Sequence, residues 1–189
     1  MNRYYLIMAF SFVWLCAEIA LARYRRAKAK SAAGHDKSSI RWLWIVIITA
    51  VTIGVFTGVR GFGLIRPLYY VAPVLGLTLI IVGSVVRWIA IRTLGKFFTV
   101  KVTIFDNHRL IDKGIYGRIR HPAYSGSLLS FFGLGLFFSS WITLPVIFLP
   151  ILSAFLYRIK IEERALREKF GQAYIDYAGR TVRLIPGLY

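Results

Sequence analysis

Residues 122–157 read PAYSGSLLSFFGLGLFFSSWITLPVIFLPILSAFLY, and this stretch decides the fold. It holds no Lys, Arg, Asp or Glu, and Ser139-Ser140, Pro145 and Pro150 interrupt it. It reads as a hairpin of two helices, roughly 123–138 and 141–157. At 1.5 Å per residue each reaches only about 25 Å, the short limit for crossing a bilayer.

Working outward, three more apolar runs precede the hairpin: Tyr4 to Ala22, Trp42 to Val59 and Leu68 to Ala90. A Gly-rich turn, Gly58 to Gly63, separates the second from the third. The composition agrees. Hydrophobic residues are 57% of the 189 and charged residues 17%, whereas a soluble domain carries roughly 25% charged. So few charges cannot cover a soluble surface, and so apolar a chain is not disordered. The expectation is an all-α integral membrane bundle of about five transmembrane helices. It forms one domain, 1–189: two spans and a basic loop in 1–67, and the core in 68–189.

The net charge of +17 first suggests nucleic acid. The positions point elsewhere, because the cations cluster between apolar runs, where they meet lipid headgroups. The partner is the bilayer, and no nucleic acid is expected. Segments 23–41, 92–120 and 158–189 each hold seven Lys and Arg, and the 60–66 turn holds two. Five spans with the N-terminus outside put all three rich segments, and the C-terminus, in the cytoplasm. The N-terminus has no small-residue cleavage site before its basic block and does not read as a cleavable signal. Glu18 and Arg87 lie near span ends, where snorkelling accounts for them. From Glu162 to Tyr177, Leu166, Phe170, Ala173 and Tyr177 recur at spacings of four, three and four. That is one face of an amphipathic cytoplasmic helix, either a stabilising element or a lid.

Cofactor signatures of soluble enzymes are missing. One cysteine, three histidines and eight acids do not suggest a metal site, so no metal is expected. Two polar clusters stand out. In HRLIDKGIYGRIRHPAYSG (108–126), Pro122 suits a first helical turn, and such a turn favours anionic ligand groups. The loop could equally be a membrane anchor. Arg158 and Glu162 are four apart and can pair where the last span ends. They form either a surface ion pair or a grip on a carboxylate with a counter-charge beside it.

The segment RHPAYSG (120–126) resembles the RHPxYxG loop of the isoprenylcysteine carboxyl methyltransferase family, which is related to membrane phospholipid methyltransferases. RWIAIRTLGKFFT (87–99), HRLIDKGIY (108–116) and EERALREKFGQAYIDYAGRTVRLIP (162–186) are similar to it as well, in the same order. The resemblance spans roughly 80–189. It implies a membrane enzyme that methylates a lipophilic small-molecule or lipid-anchored acceptor with S-adenosylmethionine, leaving S-adenosylhomocysteine. Carried across, the cofactor contacts are His108, Arg109, Leu110, Ile111, Tyr116, His121, Pro122, Ala123, Tyr124 and Glu162. Arg158 takes the acceptor carboxylate. Lys101 stands where the family usually has an amide side chain. A prokaryotic plasma membrane is the expected location for so short a chain.

Two other readings stay open. Sterol-type membrane reductases using NADPH resemble the same loop but carry Asn and Glu at the positions of Ala123 and Ser127. A non-enzymatic scaffold would use its basic loops only as anchors.

Overall fold

The computed structural model describes residues 38–95 and 110–185. The expected first span, Glu18, Lys101, His108 and Arg109 lie outside the described residues. Helices are the only regular elements among those described: α1 (Ser38–Val59), α2 (Val71–Leu94), α3 (Pro122–Phe137), α4 (Thr143–Phe170) and α5 (Gln172–Gly179). Short 3₁₀ turns at Arg66–Leu68 and Gly114–Gly117 join them.

α1 is rich in Ile, Val and Thr, poor helix formers in water. In a bilayer the backbone has no water to bond, so a lone segment must satisfy itself as a helix. α1, α2 and α4 are each long and apolar enough to cross. Large apolar side chains face outward along them, among them Trp42, Ile48 and Phe56 on α1 and Val74, Ile81 and Trp88 on α2. On a soluble protein these would be an aggregation surface; here they are the lipid-facing surface.

α3 is the buried centre. It packs against α2 on one side and α4 on the other, and α4 packs against α1. At 16 residues it measures about 24 Å. Between α2 and α3 the backbones nearly touch. A Cβ built at Gly76 would lie 2.5 Å from the Gly133 carbonyl, and one at Gly83 would lie 2.4 Å from that of Gly126. Only glycine permits this approach. The apolar core behind it is built from Leu128, Phe131 and Leu134 of α3 with Ile147, Ile151 and Phe155 of α4.

At one end of the bundle, Ser139 and Ser140 turn the chain from α3 to α4, as the sequence suggests. The Ser140 hydroxyl donates to the Phe62 carbonyl at 2.6 Å and accepts from the Thr143 N–H at 3.0 Å. It thereby ties the α1–α2 turn to the start of α4. The other end carries the polar segments and is called the basic end below.

Three expectations are corrected. Pro150 does not interrupt the hairpin's second helix, which runs unbroken for 28 residues from Thr143. There is no separate helix from Glu162 to Tyr177. α4 continues to Phe170, and the break comes at Gly171, whose φ of 54° stops it before α5 starts at Gln172. Arg87 does not snorkel. Its guanidinium turns inward, donating to the Ala123 carbonyl at 3.2 Å and to the Ser127 hydroxyl at 2.8 Å.

Twenty-eight residues reach about 42 Å, against a hydrocarbon core of about 30 Å. The charged last turns of α4, from about Glu162, therefore stand clear of the membrane.

Candidate active site

The site forms where α3 begins and α4 leaves the apolar layer. Pro122 opens α3, where its missing N–H costs nothing. The preceding residues are fixed by the tail of the chain. The Arg120 and His121 N–H groups donate to the Val182 and Arg183 carbonyls at 2.8 and 3.1 Å, and the Val182 N–H returns a bond to the Arg118 carbonyl at 3.0 Å. Ser125 adds a bond from its hydroxyl to the Leu184 carbonyl at 2.6 Å.

On this base a chain of side-chain hydrogen bonds crosses three helices. Arg158, buried at 2% exposure, donates from Nη1 to the Ser39 hydroxyl at 2.8 Å and from Nε to the Tyr124 hydroxyl at 3.1 Å. The Tyr124 hydroxyl donates onward to Glu162 Oε2 at 2.8 Å. The Tyr124 ring stacks on His121 with centroids 5.6 Å apart and leans on Phe155 at 5.0 Å. Arg158 and Glu162 are thus bridged by a tyrosine that holds both.

Glu163, the next residue, has a different role. Its carboxylate is buried and accepts from Arg120 Nε at 3.1 Å and from Arg183 Nε at 3.1 Å, with His121 Nε2 at 3.4 Å. Burial acts to raise this carboxyl, but the His121 hydrogen bond and the neighbouring Arg183 and Arg120 outweigh it and hold it at about 2. Arg120 also donates to the Ala178 and Thr181 carbonyls at the end of α5, a cationic cap on a helix C-terminus. Glu163 and Arg120 are therefore struts that fix the loop, α4 and the tail to one another.

Of the residues the resemblance implies, His121, Pro122, Ala123, Tyr124, Arg158 and Glu162 come together here. Tyr116 is buried against Ala90 and Ala123. Burial, reinforced by the Glu162 charge, pushes its phenol up and keeps it a hydrogen-bond donor. Leu110 and Ile111 lie half-buried in the irregular chain leading to Tyr116. Ser39, Arg120, Glu163 and Arg183 are absent from that set. Ser39 is 119 residues from Arg158 in sequence, and no local pattern connects them.

The donor set suits a ligand bearing an amine, a carboxylate and a sulfonium. Glu162 remains partly accessible, and among the described residues its Oε1 accepts no hydrogen bond. The Tyr174 hydroxyl is buried and among the described residues has no partner, in the field of Glu163, Arg120 and Glu162. A buried hydroxyl left unbonded is costly and marks a place where a polar group belongs.

The chain is similar to several known proteins. The chain is 35% identical over 113 residues to protein-S-isoprenylcysteine O-methyltransferase B of Arabidopsis thaliana, covering 59% of this chain and 57% of that one. It is 34% identical over 115 residues to the Saccharomyces cerevisiae protein-S-isoprenylcysteine O-methyltransferase, covering 60% and 48%. The matched stretch is thus half to three fifths of those relatives. They are eukaryotic, so they give the expected prokaryotic membrane no support. The fold is similar to that of a eukaryotic intramembrane Ras methyltransferase, isoprenylcysteine carboxyl methyltransferase. The TM-score is 0.59 at 28% identity, over 72% of this chain and 52% of that one. The sequence profile of the phospholipid methyltransferases matches residues 71–173, more than half of the chain. The seam glycines of α2 and α3 and the Arg158–Tyr124–Glu162 chain all lie inside those limits, and the chain belongs to the phospholipid methyltransferase family.

Proposed function

We propose that this protein is a membrane methyltransferase that moves a methyl group from S-adenosylmethionine to the carboxylate of a lipophilic acceptor at the cytoplasmic face. The observation that carries the reading is the Tyr124 hydroxyl, bonded at once to Arg158 and to Glu162. It sets a carboxylate-gripping cation and an amine-accepting anion side by side at the membrane surface. When bound, the cofactor supplies an electrophilic methyl on sulfonium.

The chain supplies position. Arg158 is buried, with Nη1 on the Ser39 hydroxyl and Nε on the Tyr124 hydroxyl, and an acceptor carboxylate exchanges for these neutral hydroxyls on the guanidinium. Glu162 takes the cofactor amine, and the first turn of α3 favours the cofactor carboxylate. Tyr116 and Tyr124 would offer their rings to the sulfonium or the adenine. An acceptor carboxylate is ionised at neutral pH, so no side chain need remove a proton. Orientation and exclusion of water then carry most of the acceleration. A lipophilic acceptor enters sideways from the bilayer, with the N-terminus outside and the basic end in the cytoplasm.

The test is calorimetric binding of S-adenosylmethionine to the detergent-purified chain, with NADPH as control. Micromolar binding of the first alone is expected. Glu162→Ala weakens it at least tenfold, about 1.4 kcal/mol. Arg158→Ala keeps the binding and loses turnover on a carboxylate acceptor. Binding of NADPH alone would move the protein to a reductase, and equal turnover in Arg158→Ala would remove that residue from its role.

A further inference from the structure

The charged extension of α4 carries a groove outside the candidate active site. Its volume is about 290 Å³, and Lys160, Glu163, Arg164, Arg167, Glu168 and Arg183 line it. Four cations face two carboxylates there, and one of these, Glu163, is also held by Arg120 from outside the groove. A phosphate approaching it meets a positive field with the guanidinium forks of Arg164 and Arg167 beside Lys160, groups suited to phosphate oxygens.

What lies above the groove identifies its occupant. Leu149, Ser153 and Tyr157, at successive spacings of four, are exposed along α4. Lys160, Arg164 and Arg167 continue the same exposed stripe at spacings of three, four and three. Side chains so spaced share one helix face. The Ser153 hydroxyl bonds back to the Leu149 carbonyl at 2.9 Å, so this upper part presents an apolar surface to lipid. A single helix face therefore runs from acyl-chain depth, past an interfacial tyrosine, into a basic groove about where α4 leaves the hydrocarbon.

We infer that this groove is a binding site for the headgroup of an anionic phospholipid, whose acyl chain lies along Leu149, Ser153 and Tyr157. The inference is independent of the methyltransferase reading and goes beyond general attraction of basic loops to a charged surface. It assigns the affinity to Lys160, Arg164 and Arg167 in one cleft. It also gives the lipid a mechanical consequence, because Arg183 in the same cleft holds Glu163, which braces His121 and Arg120.

The full-length chain in a zwitterionic detergent tests it, with short-chain phosphatidylglycerol titrated against phosphatidylcholine of equal chain length. Binding is read by native mass spectrometry and by thermal shift. Phosphatidylglycerol binds at least tenfold tighter. The triple variant K160Q/R164Q/R167Q removes that preference, whereas K113Q/R118Q/K169Q, the same charge lost at other exposed positions, keeps it. Equal binding of the two lipids would overturn the site, as would a preference that survives the first triple variant. Equal loss in both triples would reduce it to diffuse attraction. Inorganic phosphate competing at equal concentration would show that the acyl stripe adds nothing, and would overturn the lipid as occupant. Should the triple variant melt early, Arg167→Glu alone must lower the preference at least threefold.

Discussion

The seam between α2 and α3 and the cap at the basic end hold α3 by opposite physics. In the seam two glycine pairs bring backbones into contact, and the Ser130 hydroxyl adds one cross-helix bond to the Ile80 carbonyl at 3.2 Å. In the cap, Glu163, Arg120 and Arg183 join irregular chain through charges, with His121 Nε2 3.4 Å from Glu163, and Tyr177 donates to the Tyr116 carbonyl at 2.8 Å. The contrast follows from the two solvents. Lipid gives no hydrophobic force between helices, so the contact must come from close approach. Near water, an irregular loop must instead have its polar groups bonded. The seam therefore sets where α3 stands, and the cap sets the shape of the loop that enters it.

The largest effect expected from breaking this division is in the cap. Glu163→Gln keeps the shape of the side chain but leaves Arg120 and Arg183 without their carboxylate. Removing one partner of a buried ion pair costs about 3 kcal/mol, and the partial exposure of Arg183 keeps the expected loss toward that lower end. Denaturant unfolding in micelles measures it. The pH dependence has a definite sign. The carboxyl is held at about 2, below its ordinary 4.5. Its stabilisation is complete above pH 4.5 and fades as pH falls toward 2. In Glu163→Gln that part of the acid sensitivity is gone. A variant as stable as the parent, or equally acid-sensitive, would make the cap incidental.

The seam answers with a smaller loss and no dependence on charge. In Gly83→Ala the new Cβ meets the Gly126 carbonyl at 2.4 Å and the Ser130 N–H nitrogen at 2.8 Å. Both are backbone atoms, so the helices must separate, and overpacking of this kind costs about 2 kcal/mol. Gly171→Ala is the control. Among the described residues nothing stands within 4 Å of its Cβ, and its φ of 54° resists, worth about 1 kcal/mol. Both losses hold as pH falls, whereas the loss in Glu163→Gln fades toward pH 2. Equal losses at Gly83 and Gly171 would show that the seam is not tightly packed.

This division also explains what could be read from the sequence. The spans at α1 and α2, the start of α3 at Pro122 and the turn at Ser139-Ser140 were legible, because a bilayer leaves an apolar run little choice but helix. The break at Gly171 was hidden by the stripe Leu166, Phe170, Ala173 and Tyr177, which keeps a helical rhythm across it. Arg87 looked like an anchor because the Ala123 carbonyl it reaches is 36 residues away. The spacing of four paired Arg158 with Glu162, and the resemblance added Tyr124. Neither gave Glu163 its role, since Arg183 reaches that carboxylate only from the tail of the chain. Periodicity reports solvent and face, while partners from distant segments are set by tertiary packing.

The smallest effect tests whether the Ser139 turn, remote from the cap, obeys the backbone logic of the seam. Ser139 is buried with a φ of 52°, a left-handed conformation that strains a residue with a Cβ. Its carbonyl accepts from the Ile65 N–H at 2.7 Å, which holds the turn there, while its hydroxyl reaches the Leu68 carbonyl only at 3.3 Å. Ser139→Ala and Ser139→Gly both lose that long hydroxyl bond. Alanine keeps the strained Cβ, and glycine removes it. Glycine is therefore the more stable of the two, by about 1 kcal/mol, the reverse of their order in an ordinary helix. The difference is independent of salt and pH. If alanine proved the more stable, the hydroxyl and its neighbours rather than backbone geometry would be holding the turn. The contrast would then lie between lipid-facing helix and polar turn at either end, not between one end and the other.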